Sequence, residues 1–340
     1  MKDETVPVRT PHCPFPSRLN PHVEAVHEHT VEWVRRFHLV EKPAAMERFM
    51  ASRYTWLAAR LYPTAGLEEL QLLNDWMVWL FMFDDQFDDH PDAFSVARAE
   101  HILDDFRAVV VDPTLPLAAG LAVRALRDLC RRTYARMGSQ WCRRYRRHVL
   151  QFFDTYVWTL GNSLSKTVPP LDVYIERRRH SGAMHIATDL IDLAEHLQLP
   201  EAIRQTPPIS TLTRMAIDVV CWSNDIQSLN KELALGEVNN LVLVLQRERS
   251  LSLEQTVELV HDMIASEIRA FQKLERVLPA FPPALRGEVE RYVDGLRACM
   301  RGNIDWSAET YRYSHVESRN ADRPASYLED LLTPTDGASA

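Results

Sequence analysis

The chain has 340 residues, 46% of them hydrophobic, and a formal net charge of −8 from 39 basic and 47 acidic side chains. A chain of this length can bury one large core, and its acidic balance argues against a nucleic-acid-binding or membrane-binding surface. Five cysteines without ligand or disulfide spacing, and no apolar run long enough for a signal peptide or a membrane span, predict a cytoplasmic protein.

Apolar residues recur with the helical period along most of the chain, and prolines separate the segments. The fold class is therefore predicted as all-α, with one domain over residues 21–321 between a flexible proline-rich arm, residues 1–20, and a flexible tail, residues 322–340. The predicted helices span residues 22–38, 44–61, 67–89, 94–109, 117–137, 139–161, 171–197, 209–235, 252–278 and 283–303.

Four carboxylates follow the apolar run 76–83 at the end of the third predicted helix, in the sequence Asp-Asp-Gln-Phe-Asp-Asp. Asp84 and Asp88 are four residues apart and share one helix face, so they are candidate ligands of a hard divalent cation. Asp89 could replace Asp88, and whether Asp85 or Asp89 also contacts the metal stays open. The alternative interpretation is an acidic helix end in solvent.

An arginine-rich stretch runs from Arg131 to Arg147 and could be taken for a nucleic-acid-binding patch. It is short, lies in an acidic protein, and is interleaved with Trp141 and Cys142 at helical spacing. We interpret it as a solvated helix face.

A second set of oxygen-bearing side chains lies in the predicted helix 209–235. Asn224, Ser228 and Glu232 fall at positions i, i+4 and i+8, which form one stripe on a helix. An amide, a hydroxyl and a carboxylate suit Mg²⁺, which completes its octahedron with water and phosphate oxygens. Lys231 would add a positive charge for a phosphate group. By itself this stripe could equally be an ordinary polar helix face.

The pairing of the Asp-rich motif with N-D-x-x-S-x-x-K-E at residues 224–232 resembles the class I terpene synthases of bacterial type. Arg178, 46 positions before Asn224, matches the family's diphosphate-sensing arginine, and Gly182 matches the helix-break glycine. Arg312 and Tyr313 match the pair that closes over the diphosphate. Ser181 departs from the pattern, because an acidic residue is often found there.

The resemblance implies a helical bundle around a central apolar cavity and a Mg²⁺-dependent cyclase, with three ions for which Mn²⁺ can substitute. Its expected substrate is a linear prenyl diphosphate, first farnesyl diphosphate (C15) and alternatively geranylgeranyl diphosphate (C20). Arg178, Lys231, Arg312 and Tyr313 would bind the diphosphate. A homodimer is also expected. Remoter alternatives are a chain-elongating prenyltransferase, which would resemble a pattern with two Asp-rich motifs, and a non-enzymatic helical scaffold.

Most aromatic side chains of such a bundle belong to its core, but a few should face the cavity. Met77 and Phe81 precede Asp84 on its helix face, and Trp306 lies close in sequence to Arg312. An aromatic face stabilises a cation without acting as a base, so these three side chains are predicted to contact the prenyl chain.

Overall fold

The computed structural model describes residues 6–88, 95–116 and 120–314, and helices are the regular elements throughout this part of the chain. The all-α prediction is confirmed. The helices are α1 (Val23–Arg36), α2 (Pro43–Ser52), α3 (Tyr54–Leu61), α4 (Leu67–Asp88), α5 (Val96–Val111), α6 (Leu121–Tyr134), α7 (Ser139–Ser165), α8 (Leu171–Ser181), α9 (Met184–Ala194), α10 (Glu201–Arg204), α11 (Pro207–Leu235), α12 (Leu241–Arg249), α13 (Leu253–Arg276), α14 (Pro283–Glu309) and α15 (Tyr311–Ser314).

Two predicted helices are each divided in two by a residue with left-handed backbone geometry. The predicted helix 44–61 breaks at Arg53, where φ is 51°, into α2 and α3. The predicted helix 171–197 breaks after Gly182, where Ala183 has φ 55°, into α8 and α9. A left-handed residue turns the chain and ends the helical hydrogen-bond ladder. Hydrophobic periodicity does not report such breaks. It also missed α10 and α12, which are short.

The centre of the bundle is formed by α11 and α14, which pack against each other, with α3 and α9 against α14 and α4 against α3 and α9. At Gly302 on α14 an added Cβ would lie 2.7 Å from the backbone carbonyl carbon of Arg60 on α3. Glycine therefore permits these two helices to approach closely. Beside α4, the side chains of Trp79, Phe83 and Phe153 form an aromatic core with ring centroids 5.1–6.1 Å apart.

The described part of the N-terminal segment, residues 6–20, packs on the helices and differs here from the expected flexible arm. The backbone N–H of Val6 donates to Asn230 Oδ1, and Asn230 Nδ2 donates to the Val6 carbonyl, both at 3.0 Å. Cys13 and Phe15 are buried, and Arg301 donates to the Cys13 carbonyl at 2.8 Å. The segment is held because it buries apolar side chains and pairs its backbone. The predicted tail, residues 322–340, lies outside the described residues.

No helix in the described ranges has both the length and the apolar character required to cross a bilayer.

Candidate active site

A cavity of about 120 Å³ opens between α3, α4, α7, α9, α11 and α14. Its walls are apolar along one part and polar along another, which we call the mouth. The apolar walls are formed by Leu57, Leu61, Met77, Leu80, Phe81, Phe152, Met184, Ala187 and Val220. The mouth carries Asp84, Tyr156, Arg178, Asn224, Ser228, Lys231, Glu232, Arg312 and Tyr313. The fold therefore brings both predicted oxygen-bearing stripes, from α4 and α11, to one cavity.

On the α4 side, Arg312 binds two neighbouring carboxylates. Its Nη2 donates to Asp84 Oδ2 at 3.0 Å and its Nη1 donates to Asp85 Oδ1 at 2.5 Å. Tyr156 donates from its hydroxyl to the other oxygen of Asp84. Burial disfavours the charge of Arg312, but the acidic groups around it, with Asp85 the strongest, together outweigh burial and raise the arginine's pKa well above its ordinary value. Asp84 faces the cavity, whereas Asp85 serves as a counter-ion for Arg312, with Lys231 Nζ at 3.9 Å.

The predicted ligands Asp88 and Asp89 lie outside the part of the structure in which side chains are described. The acidic motif is therefore represented at the cavity by Asp84.

On the α11 side, Asn224 connects the two arginine-bearing segments. Its Oδ1 accepts from Arg178 Nη2 at 2.6 Å, and its Nδ2 donates to the Tyr313 hydroxyl at 2.6 Å. Ser228 Oγ donates to the Asn224 backbone carbonyl at 2.8 Å. Asn224 is within hydrogen-bonding distance of Arg178, Tyr313 and Ser228. These polar groups are therefore close enough to bind one ligand together.

Glu232 completes the α11 stripe in an environment that disfavours negative charge. Burial, and then the nearby Asp225 carboxylate, raise the pKa of Glu232 to about 7, while Asn240 donates to its carboxylate at 2.8 Å. A cation beside this carboxylate would favour its ionised form. Among the described residues, no group of three or more His, Cys, Asp or Glu side chains is arranged so that it could hold a metal ion by itself. The oxygens available as metal ligands are instead a mixture of carboxylate, amide and hydroxyl oxygens, which suits a hard divalent cation.

Arg178 differs from both of its arginine neighbours. Its Nε donates to Asp225 Oδ1 at 2.8 Å and it lines the cavity, whereas Arg177 is exposed and Arg179 pairs with Asp218 away from it. Burial opposes its charge, but Asp225 raises the pKa of Arg178 well above its ordinary value. Asp225 was missed by the sequence analysis, although it directly follows Asn224.

Asp225 also fixes two other elements. It accepts from the Tyr174 hydroxyl at 2.7 Å and from the Leu241 N–H at the start of α12 at 3.1 Å. A single carboxylate therefore positions the cavity arginine and joins α8, α11 and α12.

Gly182 lies where α8 ends, beside the Arg178 guanidinium. An added Cβ would lie 2.7 Å from Cys221 Sγ and 3.4 Å from Arg178 Nη1. Any side chain would therefore displace α11 or the arginine. Ser181 lines the same cavity, with its Oγ 3.5 Å from the Arg178 carbonyl oxygen. The helix break and Arg178 are thus in direct contact.

Of the three predicted contacts to the prenyl chain, Met77 and Phe81 line the cavity and Trp306 does not. The Trp306 ring lies 5.3 Å from the Phe81 ring, and its N–H donates to the carbonyls of Ser52 and Arg53 at 3.1 Å. Trp306 is only 1% exposed. The expectation for Trp306 is corrected, since its indole supports Phe81 from behind. The closeness of Trp306 to Arg312 in sequence did not reveal that the Trp306 side chain faces away from the cavity.

Three further polar or aromatic lining residues were missed, namely Phe152, Tyr156 and Asn303. Phe152 and Tyr156 are four residues apart on α7, which is the only local sign that they share a face. No motif marked Asn303.

The fold and the site together define a class I terpenoid synthase. Two sets of hard-oxygen ligands and two buried arginines surround the mouth of an otherwise apolar cavity inside a helical bundle. The sequence model described as "Terpene synthase family 2, C-terminal metal binding" matches residues 75–270, and the chain belongs to this terpene synthase family.

Similar proteins cover most of the chain. It is 33% identical to a germacrene A synthase of Nostoc punctiforme over 310 residues, which are 90% of this chain and 95% of the relative. It is 34% identical to a (+)-T-muurolol synthase of Roseiflexus castenholzii over 302 residues, 88% of this chain and 92% of the relative. The crystal structure of germacradien-4-ol synthase from Streptomyces citricolor superposes with a TM-score of 0.79 at 27% identity, covering 91% of this chain and all of that one.

Proposed function

We propose that this terpene synthase is a Mg²⁺-dependent sesquiterpene cyclase that ionises farnesyl diphosphate and cyclises the resulting carbocation. The main observation in support is that Asp84 of α4 lies at the mouth of the same apolar cavity as Asn224, Ser228 and Glu232 of α11. The name of the muurolol-forming relative describes it as cyclising (2E,6E)-farnesyl diphosphate, as does that of a 4-epi-cubebol synthase that is 34% identical over 317 residues. These relatives favour a C15 substrate over C20.

The proposed metal ligands are Asp84, Asp88, Asn224, Ser228 and Glu232. Three Mg²⁺ ions, with Mn²⁺ as a substitute, would neutralise the diphosphate and make it a better leaving group. In this structure the side-chain oxygens of Asn224, Glu232 and Asp84 are hydrogen-bonded within the protein. Metal binding therefore requires an exchange of partners, including release of Arg312 from Asp84.

The diphosphate would also be held by side chains of the protein that do not bind metal, namely Arg178, Lys231, Arg312 and Tyr313. Guanidinium groups bind phosphate oxygens in pairs, and the charge that develops on the leaving diphosphate strengthens these bonds. Arg312 and Tyr313 lie just after α14, so their binding would also close the mouth and exclude water from the reaction. Gly182 would couple Arg178 to the start of α9.

The apolar walls would fold the prenyl chain so that its own double bonds reach the cation. Phe81 and Met77 both line the cavity from α4. The Arg312 guanidinium carbon lies 5.0 Å from the Phe81 ring centroid, so this ring already contacts one cation. A ring in this position would stabilise a carbocation without abstracting its proton.

The direct test is incubation with C10, C15 and C20 prenyl diphosphates, followed by gas chromatography–mass spectrometry and measurement of released diphosphate. We expect cyclic C15 products with Mg²⁺ and none with EDTA. Asp84→Asn should lower kcat/KM by about 10²- to 10³-fold, whereas Asp104→Asn should not, because Asp104 is exposed and pairs only with Arg107. Full turnover in EDTA would overturn the metal assignment.

The cytoplasmic location and a homodimeric assembly are further parts of the proposal. Free cysteines support a reducing compartment. Sedimentation at micromolar concentration tests the dimer.

A further inference from the structure

Two buried oxygen atoms on one face of α14 lack hydrogen-bond partners within the described residues. Asn303 lines the active-site cavity, is 7% exposed, and its Oδ1 has no partner. Ser307 follows one turn later, is 4% exposed, and its Oγ has none. Residues four apart on a helix lie on the same side. The two side chains therefore share one face of α14, one turn apart, and Asn303 is the one that lines the cavity.

The Ser307 hydroxyl is unpaired, whereas several serine and threonine hydroxyls on other helices of this protein are hydrogen-bonded to their own helix. Thr30, Ser228 and Thr256 each donate to the carbonyl four residues back, at 2.7–2.8 Å. Ser307 makes no such bond to the Asn303 carbonyl. A buried polar atom without a partner is costly, and the usual partner that a protein interior supplies is a water molecule.

The cavity wall around α14 offers little else that is polar. The helices α3 and α9, which pack against α14, present Leu57, Leu61 and Ala187 to the cavity. Asn303 lies within α14, which ends at Glu309, whereas Arg312 lies on the following helix, α15. The cavity has room for water, because its volume of about 120 Å³ exceeds the roughly 10–15 Å³ that one molecule needs.

We propose that Asn303 and Ser307 hold a water molecule at the cavity wall, and that this water ends the cyclisation by adding to the final carbocation. The proposal rests on the proposed function and specifies the product class, a sesquiterpene alcohol.

In this step Asn303 Oδ1 accepts a hydrogen bond from one O–H of the water and Ser307 Oγ accepts one from the other, which leaves an oxygen lone pair free to attack the cation. The lone pair forms the new C–O bond. One O–H bond breaks, and its proton passes to the diphosphate released on ionisation. The overall reaction is prenyl diphosphate plus water giving alcohol plus protonated diphosphate, and no oxidant or reductant is required.

The first test is turnover of farnesyl diphosphate with Mg²⁺ in buffer made with H₂¹⁸O. We expect the main product to be an alcohol that carries one ¹⁸O atom. Absence of all product and of diphosphate release would refute the proposed function. Normal diphosphate release with hydrocarbon products alone would refute only the present inference.

The second test uses variants of the two residues. Asn303→Leu replaces the amide with an apolar side chain of similar shape, and Ser307→Ala removes the hydroxyl. Each should lower the ratio of alcohol to hydrocarbon by about tenfold, with both products quantified per molecule of diphosphate released.

Ser223→Ala is the matched control, since Ser223 is also buried with an unpaired Oγ but lies on α11, whereas Asn303 and Ser307 lie on α14. It should leave the ratio unchanged. If Asn303→Leu does not fold, Ser307→Ala alone decides, and an unaltered alcohol fraction in that variant would overturn the assignment.

Discussion

Arg144 is buried, Arg178 is largely buried with its side chain 15% exposed, and both pair with carboxylates, yet they differ in the number of hydrogen bonds that they make. Arg144 donates from Nε to Asp189, from Nη2 to Asp192 and from Nη1 to Glu201, each at 2.8 Å. Every nitrogen of its guanidinium group is used. Its side chain is 7% exposed. This network joins α7, α9 and α10.

Arg178 donates from Nε to Asp225 and from Nη2 to Asn224, and within the described ranges its Nη1 has no hydrogen bond. Nη1 lies beside Gly182, at the cavity. The comparison shows that burial and ion pairing do not by themselves distinguish a structural arginine from one that can bind substrate. The distinguishing feature is a remaining donor that faces a cavity.

Removing Arg144 should affect stability rather than chemistry. Arg144→Met removes one cationic partner from each of the buried carboxylates Asp189 and Asp192, which keep only His148 and Arg204 respectively within the described ranges. We therefore expect the free energy of unfolding to fall by about 3 kcal/mol. Thermal and urea denaturation measure this change. Arg143→Met, at an exposed position of the same helix, should cost little. The comparison fails if Arg144→Met retains full stability but loses kcat.

Arg178→Lys should have the opposite effect. A lysine keeps the charge but cannot make the two-pronged contact with phosphate oxygens, so kcat/KM should fall by about 10²-fold with little change in stability. Steady-state kinetics with farnesyl diphosphate provide the measurement. Arg177→Lys is the control, since Arg177 is exposed. Equal losses at Arg177, Arg178 and Arg179 would indicate a diffuse basic patch instead.

A stack of three histidines lies between the two arginine networks. The rings of His148 and His185 are 4.9 Å apart, those of His180 and His185 are 4.8 Å apart, and His148 bonds to Asp189 at 2.7 Å. Burial lowers the pKa of His185 to about 3, below its ordinary value of 6.5. The folded state therefore binds fewer protons than the unfolded state between these pH values, so stability falls as the pH falls through this window.

At pH 5 the lowered pKa of His185 reduces the free energy of unfolding by about 2 kcal/mol. We expect His185→Phe to reduce the stability loss between pH 7 and pH 5 by about that amount, measured by urea denaturation at each pH. Asp192 acts in the opposite direction, because burial raises its pKa to about 6 and its ionisation opposes folding as the pH rises. An identical pH dependence in the variant would mean that His185 does not contribute.

The smallest expected effect is on product choice. Phe81→Leu removes an aromatic face worth about 0.5–2 kcal/mol to a nearby cation, which can redirect cyclisation but not prevent ionisation. We expect a shifted product mixture with more acyclic or monocyclic compounds and modestly lower turnover, measured by gas chromatography. Phe83→Leu is the control, since Phe83 packs against Trp79 and does not line the cavity. An unchanged profile for Phe81→Leu would place that ring in the core.

The sequence by itself determined the fold class and the two oxygen-bearing stripes, because both follow from spacing along a single helix. Asp84 and the set Asn224, Ser228 and Glu232 needed only the helical repeat to be recognised. Family resemblance added Arg178, Gly182 and the pair Arg312 and Tyr313. All of these residues line one cavity.

Contacts between helices were decided by the tertiary structure alone. Asp85 serves as a counter-ion of Arg312, Arg144 is buried although its stretch was interpreted as solvated, and Trp306 lies behind Phe81. Asn303 carries no sequence signal at all. The physical reason is that a helix's own repeat fixes which residues share a face, whereas the neighbour that this face meets depends on the packing of side chains far apart in the chain.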